Sequence, residues 1–161
     1  MNENEYAERT QALRGRLYRT AYLILGSEAA ALDAVDEAVF RGFTALKKLK
    51  QPEYFDTWLT RILINECRTE LRHRKFRAES ALPEKAQVQF DALPLRDAVA
   101  RLPKELQDPV VLRYFAGYTT AETAHILKIP QGTAATRLRR ALQVLRLELT
   151  DGEVVADGQK R

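Results

Sequence analysis

Residues 117–140, GYTTAETAHILKIPQGTAATRLRR, constrain this chain most, because their punctuation spells two short helices joined by a tight turn. Thr119 is placed to cap the first helix. Glu122, three residues on, can reach back to the cap's backbone N–H, which makes a capping box. Ala121, Ala124 and Ile126 are compact enough for a second helix to cross closely. Lys128-Ile-Pro130 ends the first helix, since proline disfavours helical geometry in the residue before it and then fixes its own φ. The second helix opens near Gln131 and carries Arg137, Arg139 and Arg140, with no acid before Glu148. A surface hairpin with solvated arginines fits this pattern. The layout fits better a helix-turn-helix whose second helix enters a DNA major groove, where arginine reads guanine through a bidentate contact.

Charge supports a polyanionic partner. The chain carries +4 overall, but residues 61–77 alone hold six basic side chains against Glu66 and Glu70. Residues 128–146 hold five basic side chains and no acid, so the remainder is net acidic. Two separated basic patches on an otherwise acidic chain point to two contacts with nucleic acid. A hydrophobic fraction of 45% supplies a core, and 30% charged residues argue against a membrane or disordered chain. No apolar run approaches the ~20 residues a membrane helix needs. The acidic, polar N-terminus is unlike a signal peptide, so a cytoplasmic location without membrane insertion is expected. Cys67 is the only cysteine, which excludes an intrachain disulfide or a cysteine-rich zinc site and suits a small buried apolar group. His73 and His125 lie far apart, and no phosphate loop, His-x-x-x-His or nucleophile signature is present. The expectation is no enzyme, no metal and no cofactor.

Apolar periodicity is helical throughout. Leu13, Leu17, Ala21 and Ile24 predict a helix over 5–25, ended by Gly26, with Ser27 capping the next. Val35, Val39, Gly42, Leu46 and Leu49 predict a second long helix, with Gly42 admitting a close partner backbone. Pro52 suits the first turn of a third helix, which carries Phe55, Trp58, Leu59, Ile62, Leu63 and Leu71 into the basic run 72–77. Periodicity fails over 78–92 and resumes at Leu95, with a pause at Pro103 and a run from Leu106 through Phe115 to Gly117. Leu138, Leu142 and Leu145 read as core of the last helix, and 150–161 as a flexible tail. The expected fold is all-α: two small helical domains, 5–77 and 93–149, joined by a flexible linker over 78–92. Domains this small bury only ~60% of their unfolded surface, so each should gain from partners.

Several segments together resemble the extracytoplasmic-function (ECF) group of bacterial RNA polymerase sigma factors. Residues 17–26 and 31–40 are similar to that group's first two helices, and 55–65 followed by basic residues to its promoter-melting helix. Leu102-Pro103, residues 111–115 and 120–124, and the Gly132-Thr-x-x-x-Arg-Leu-x-Arg-Ala141 pattern resemble its fourth domain. The resemblance implies core RNA polymerase, promoter DNA and an anti-sigma factor as partners. Asp33, Asp36 and Glu37 would dock on the clamp helices of the polymerase's largest subunit, with Asp36 standing where the family usually has glutamine. The 47–54 loop and the helix after it would meet the minus-ten element. There Asn65 would bond a promoter base, Arg61, Arg68, Arg72, Arg74 and Lys75 would hold phosphates, and Tyr54 would stack on a base. Trp58 sits in an amphipathic run and reads as core instead. The minus-thirty-five element would meet Ala135, Thr136, Arg139 and Arg140, with Arg137 nearer the phosphates; the family commonly has a cation at position 135. A stand-alone helix-turn-helix regulator remains an alternative, although it leaves Asn65 within a second basic patch unexplained. A helical RNA-binding protein lacks the aromatic sheet or Gly-x-x-Gly loop of common RNA modules.

Overall fold

The computed structural model describes residues 1–80 and 94–151, and among them every regular element is helical. The chain starts with α1 (Glu3–Leu25), α2 (Glu28–Thr44) and α3 (Phe55–Ser80). Asn2 caps α1 by accepting from the Glu5 N–H, and Ser27 caps α2 by accepting from Ala30. Gly26 closes α1 at φ 70°, a left-handed turn that glycine adopts without steric penalty. The three helices bury Leu13, Leu17 and Ala21 of α1 against Ala31, Ala34, Val35 and Ala38 of α2 and Phe55, Leu59 and Leu63 of α3.

The second helix is shorter than its apolar period predicts. It stops at Thr44, and the backbone tightens into a 3-10 turn over Leu46–Lys48. Pro52 then holds Gln51 extended and opens a second 3-10 turn, Pro52–Tyr54. Leu46 and Leu49 still pack against the core, so the apolar stripe continues after the helix has ended. Gly42 does admit a close neighbour, but that neighbour is side chain and not backbone. A Cβ there would lie 2.5 Å from the Tyr6 hydroxyl and 2.8 Å from Leu59.

The second half comprises α4 (Pro94–Arg101), α5 (Lys104–Val110), α6 (Thr120–Leu127) and α7 (Gln131–Asp151). The run from Leu106 to Phe115 is not one regular helix. Pro109 removes an N–H from α5, and a wide turn follows over Val111–Phe115, closed by the Ala116 N–H on Val111 at 2.9 Å. The capping box forms as expected, with Thr119 and Glu122 exchanging bonds of 2.9 and 3.0 Å. Lys128 ends α6 at φ 60°, the one non-glycine residue with positive φ among those described. Leu138, Ala141 and Leu145 bury one stripe of α7, whereas Leu142 lies just off it and is 39% exposed. The expectation of a core Leu142 is therefore corrected. Cys67 is fully buried. The predicted linker falls largely outside the described residues, except that 78–80 continue α3; the predicted tail does so except that 150–151 continue α7.

The two halves share one contiguous cluster of buried side chains. α6 packs on α3, and the wide turn packs on α1.

Candidate nucleic-acid interface

On α7 the buried Ala134, Leu138 and Ala141 turn the opposite face outward. Arg139 and Arg140 are exposed there, with Ala135, Thr136 and Arg137 half-exposed beside them. Arg139 donates to the Thr136 hydroxyl at 3.4 Å, and among the described residues neither Arg139 nor Arg140 pairs with a carboxylate. These two guanidiniums are thus presented by an anchored helix with their charge unspent.

The second basic surface is built differently. Arg9 donates to the Pro52 carbonyl at 2.9 Å and lies over the Phe55 ring, which fixes the turn that carries Tyr54. Tyr54 is exposed, while Trp58 is half-buried against the core and also lines a cleft of about 570 Å³. Lys48, Lys50 and Arg61 line the same cleft, and α6 closes it with Ala121, Glu122 and His125. Farther along α3, Asn65, Arg72 and Lys75 face solvent. Three of the expected phosphate contacts are engaged inside the protein. Arg61 donates to the His125 carbonyl at 2.9 Å, and Arg68 lies 3.6 Å from Asp108. Arg74 donates to the Leu25 carbonyl at 2.8 Å, capping α1, and to Glu70 at 3.0 Å.

Asp33, Asp36 and Glu37 share one exposed face of α2. Asp36 is paired with Arg14, and Glu37 with Arg41 at 3.1 Å. The sequence reading missed the apolar half of this face: Leu32, Phe40 and Phe43 are exposed beside the carboxylates. The signal was available, since all three fall off the buried stripe of Ala31, Ala34, Val35 and Ala38.

Burial dominates the titrations at the seam between the halves. Asp108 is raised above its ordinary value because desolvation outweighs the neighbouring Lys104 and Arg68. The Cys67 thiol is pushed up to about 12, also by burial. No cluster among the described residues is suited to hold a metal ion, and no helix among them is long and apolar enough to cross a membrane.

Residues 10–77 match the family described as Sigma-70 region 2, and residues 92–145 that of Sigma-70, region 4. The chain is 30% identical to the ECF RNA polymerase sigma factor SigL of Mycobacterium tuberculosis, over 84% of this chain and 83% of that one. It is 26% identical to the ECF RNA polymerase sigma factor SigW of Bacillus subtilis, over 93% and 91% of the two chains. The sigma factor RpoE of Bartonella quintana, solved with the anti-sigma factor NepR, superimposes with a TM-score of 0.79 at 18% identity, covering 92% of this chain and 99% of that one. The two family matches thus define a two-part, promoter-directing DNA-binding protein. The chain belongs to the ECF group of sigma-70 RNA polymerase sigma factors. It directs RNA polymerase to promoters for initiation.

Proposed function

We propose that the two basic surfaces divide promoter recognition between them. The observation that carries this reading is their unlike construction: α7 offers unpaired arginines on an anchored helix, and α3 offers a basic helix beside an aromatic cleft. Arg139 and Arg140 take base edges of the minus-thirty-five element, each bidentate guanine contact discriminating by about 1–3 kcal/mol. Ala135 and Thr136 meet the same groove, Ala135 offering apolar contact where a cation is common, and Arg137 stands nearer the phosphates.

The α3 surface handles the minus-ten element. Tyr54 stacks on an unpaired base of the non-template strand, and Asn65 bonds a base through an amide that both donates and accepts. Unstacking a base costs a few kcal/mol, and stacking on an aromatic ring returns about 1–3 kcal/mol. Arg72 and Lys75, which face solvent, supply the rest by holding strand phosphates, and Arg61, Arg68 and Arg74 join them by leaving the intramolecular partners described above. Opening then needs neither ATP, nor a cofactor, nor a catalytic group. The acidic face of α2, Asp33, Asp36 and Glu37, docks on basic clamp helices of the polymerase's largest subunit, with Leu32 and Phe40 adding apolar area. Residues 5–77 and 93–149, packed on one core cluster in this structure, act as two units joined through 78–92 when they engage the two promoter elements. The RpoE neighbour was solved with an anti-sigma factor, which supports such a partner for this chain too, in the cytoplasm where the polymerase works.

Pull-down on core polymerase followed by run-off transcription tests this reading. Stoichiometric binding and discrete transcripts without an ATP-driven opening step are expected. Good binding to duplex DNA alone, with neither polymerase binding nor transcripts, would mark a stand-alone regulator.

A further inference from the structure

A second cavity, of about 440 Å³, lies where α3, α5, α6 and α7 meet. Its size falls within the range of about 300–1,000 Å³ usual for small-molecule sites. Arg68 of α3, Lys104 of α5 and Arg137 of α7 line it, together with Asp108 and the exposed Glu105. The Lys104–Asp108 pair is unfinished. Lys104 Nζ and Asp108 Oδ1 stand 3.6 Å apart, both are buried, and neither makes a hydrogen bond. Arg68 approaches the other carboxylate oxygen, Oδ2, also at 3.6 Å, which is too far to donate. Asp108 is only 3% exposed, so bulk water does not complete these bonds. Arg137 has no carboxylate partner among the described residues. A ligand that supplies the missing partners recovers the cost of leaving buried polar atoms unpaired.

We propose that this cavity binds inorganic phosphate in a form that keeps a proton. The tetrahedral oxyanion accepts from Lys104, Arg68 and Arg137, and its own O–H donates to Asp108 Oδ1. Both orphaned atoms then gain a partner. The buried carboxylate sets the selectivity, because an ionised aspartate only accepts. Sulfate and the phosphodiesters of a DNA backbone bring no proton, so Asp108 repels them. Glu105 sits exposed at the rim, where solvent screens its charge. The walls are fixed without a ligand. Arg16 donates to the Ala116 carbonyl at 2.8 and 3.0 Å, and the Tyr118 hydroxyl lies 2.7 Å from that of Thr60. Binding therefore has little left to order.

Calorimetric titration of the full chain with phosphate and with sulfate, at matched ionic strength, tests the proposal. The buffer is mildly alkaline, which keeps Asp108 ionised despite its raised value and leaves phosphate one proton. Wild type should bind phosphate about ten- to hundredfold tighter than sulfate, the range of an unmatched buried acceptor. Asp108→Asn, whose amide both donates and accepts, should bind the two anions alike. Lys104→Met should weaken phosphate binding by about tenfold or more, with circular dichroism showing that helicity is kept. Equal affinity of wild type for the two anions, or no phosphate binding, overturns the proposal. Phosphate binding that Lys104→Met leaves unchanged overturns it too, since the anion then sits on exposed arginines elsewhere. Selectivity that survives in Asp108→Asn overturns the role given to the buried carboxylate.

Discussion

Replacing Gly42 by alanine sets two physical effects of known size against each other. Propensity alone favours the change, because alanine is better than glycine in a helix interior by about 1 kcal/mol. Packing opposes it. The new methyl would stand 2.5 Å from the Tyr6 hydroxyl and 2.8 Å from Leu59 Cδ1, both far inside van der Waals contact. Neither neighbour is free to retreat. The Tyr6 hydroxyl donates to the Val39 carbonyl at 2.6 Å, its ring packs edge-on against Phe55, and Leu59 is fully buried. Overpacking of this kind costs about 1–3 kcal/mol per site, and two close contacts put it near the upper end. The expected net loss for Gly42→Ala is therefore about 1–2 kcal/mol. Tyr6→Phe alone should cost about 1 kcal/mol through the lost hydrogen bond. In the Gly42→Ala background it removes the nearest clashing atom and should be neutral or stabilising, a coupling of at least about 1 kcal/mol. Urea unfolding of the four chains, followed by circular dichroism, measures this cycle. Additive effects, or a Gly42→Ala chain more stable than the parent, would refute the packing argument.

Arg72→Ala or Lys75→Ala should weaken every promoter alike and reduce the slope of log affinity against log salt by about 0.7–0.9 per lost phosphate contact, measurable by duplex and strand titrations. Asp108 is raised by burial, so its folded form binds a proton more tightly than the unfolded chain does. Its contribution to stability is complete below the ordinary carboxylate value and is lost as pH rises through the raised one. Asp108→Asn removes this opposing contribution, so stability should fall more steeply as pH drops through the carboxylate range, at little cost at neutral pH; an unchanged or flatter acid limb in urea titrations would contradict this. Cys67, fully buried and with its thiol pushed up to about 12, should resist thiol reagents at neutral pH until denaturant is added, and rapid native labelling would count against the packing described.

Features decided within a few residues were legible from the sequence. The Thr119–Glu122 capping box, the Gly26 stop with its Ser27 restart, and the Lys128-Ile-Pro130 turn are local chemistry, and each is present. Features decided by a partner were not. Leu138, Leu142 and Leu145 all fit a helical period, yet only the stripe through Ala141 faces the neighbouring helices. Leu46 and Leu49 fit a longer α2, because a 3-10 turn can carry the same stripe inward. Arg16 with Ala116, and Thr60 with Tyr118, lie 100 and 58 residues apart, and no periodicity links them. For the same reason, the sequence alone does not reveal that the fold engages Arg61 and Arg68. The order and spacing of motifs across the two halves made the family legible, while the seam between the halves left no trace in the chain.

The division of labour between α3 and α7 is tested most directly by permanganate footprinting of thymines in the open promoter, with duplex affinity measured beside it. Asn65→Ala holoenzyme should bind promoter duplex nearly as well as wild type yet lose thymine reactivity in the minus-ten region. Arg140→Ala holoenzyme should lose about 1–3 kcal/mol of upstream binding and relax base preference there, with normal opening once bound. Equal losses of upstream duplex binding in both variants, with thymine reactivity unchanged, would contradict the assignment of melting to the N-terminal half.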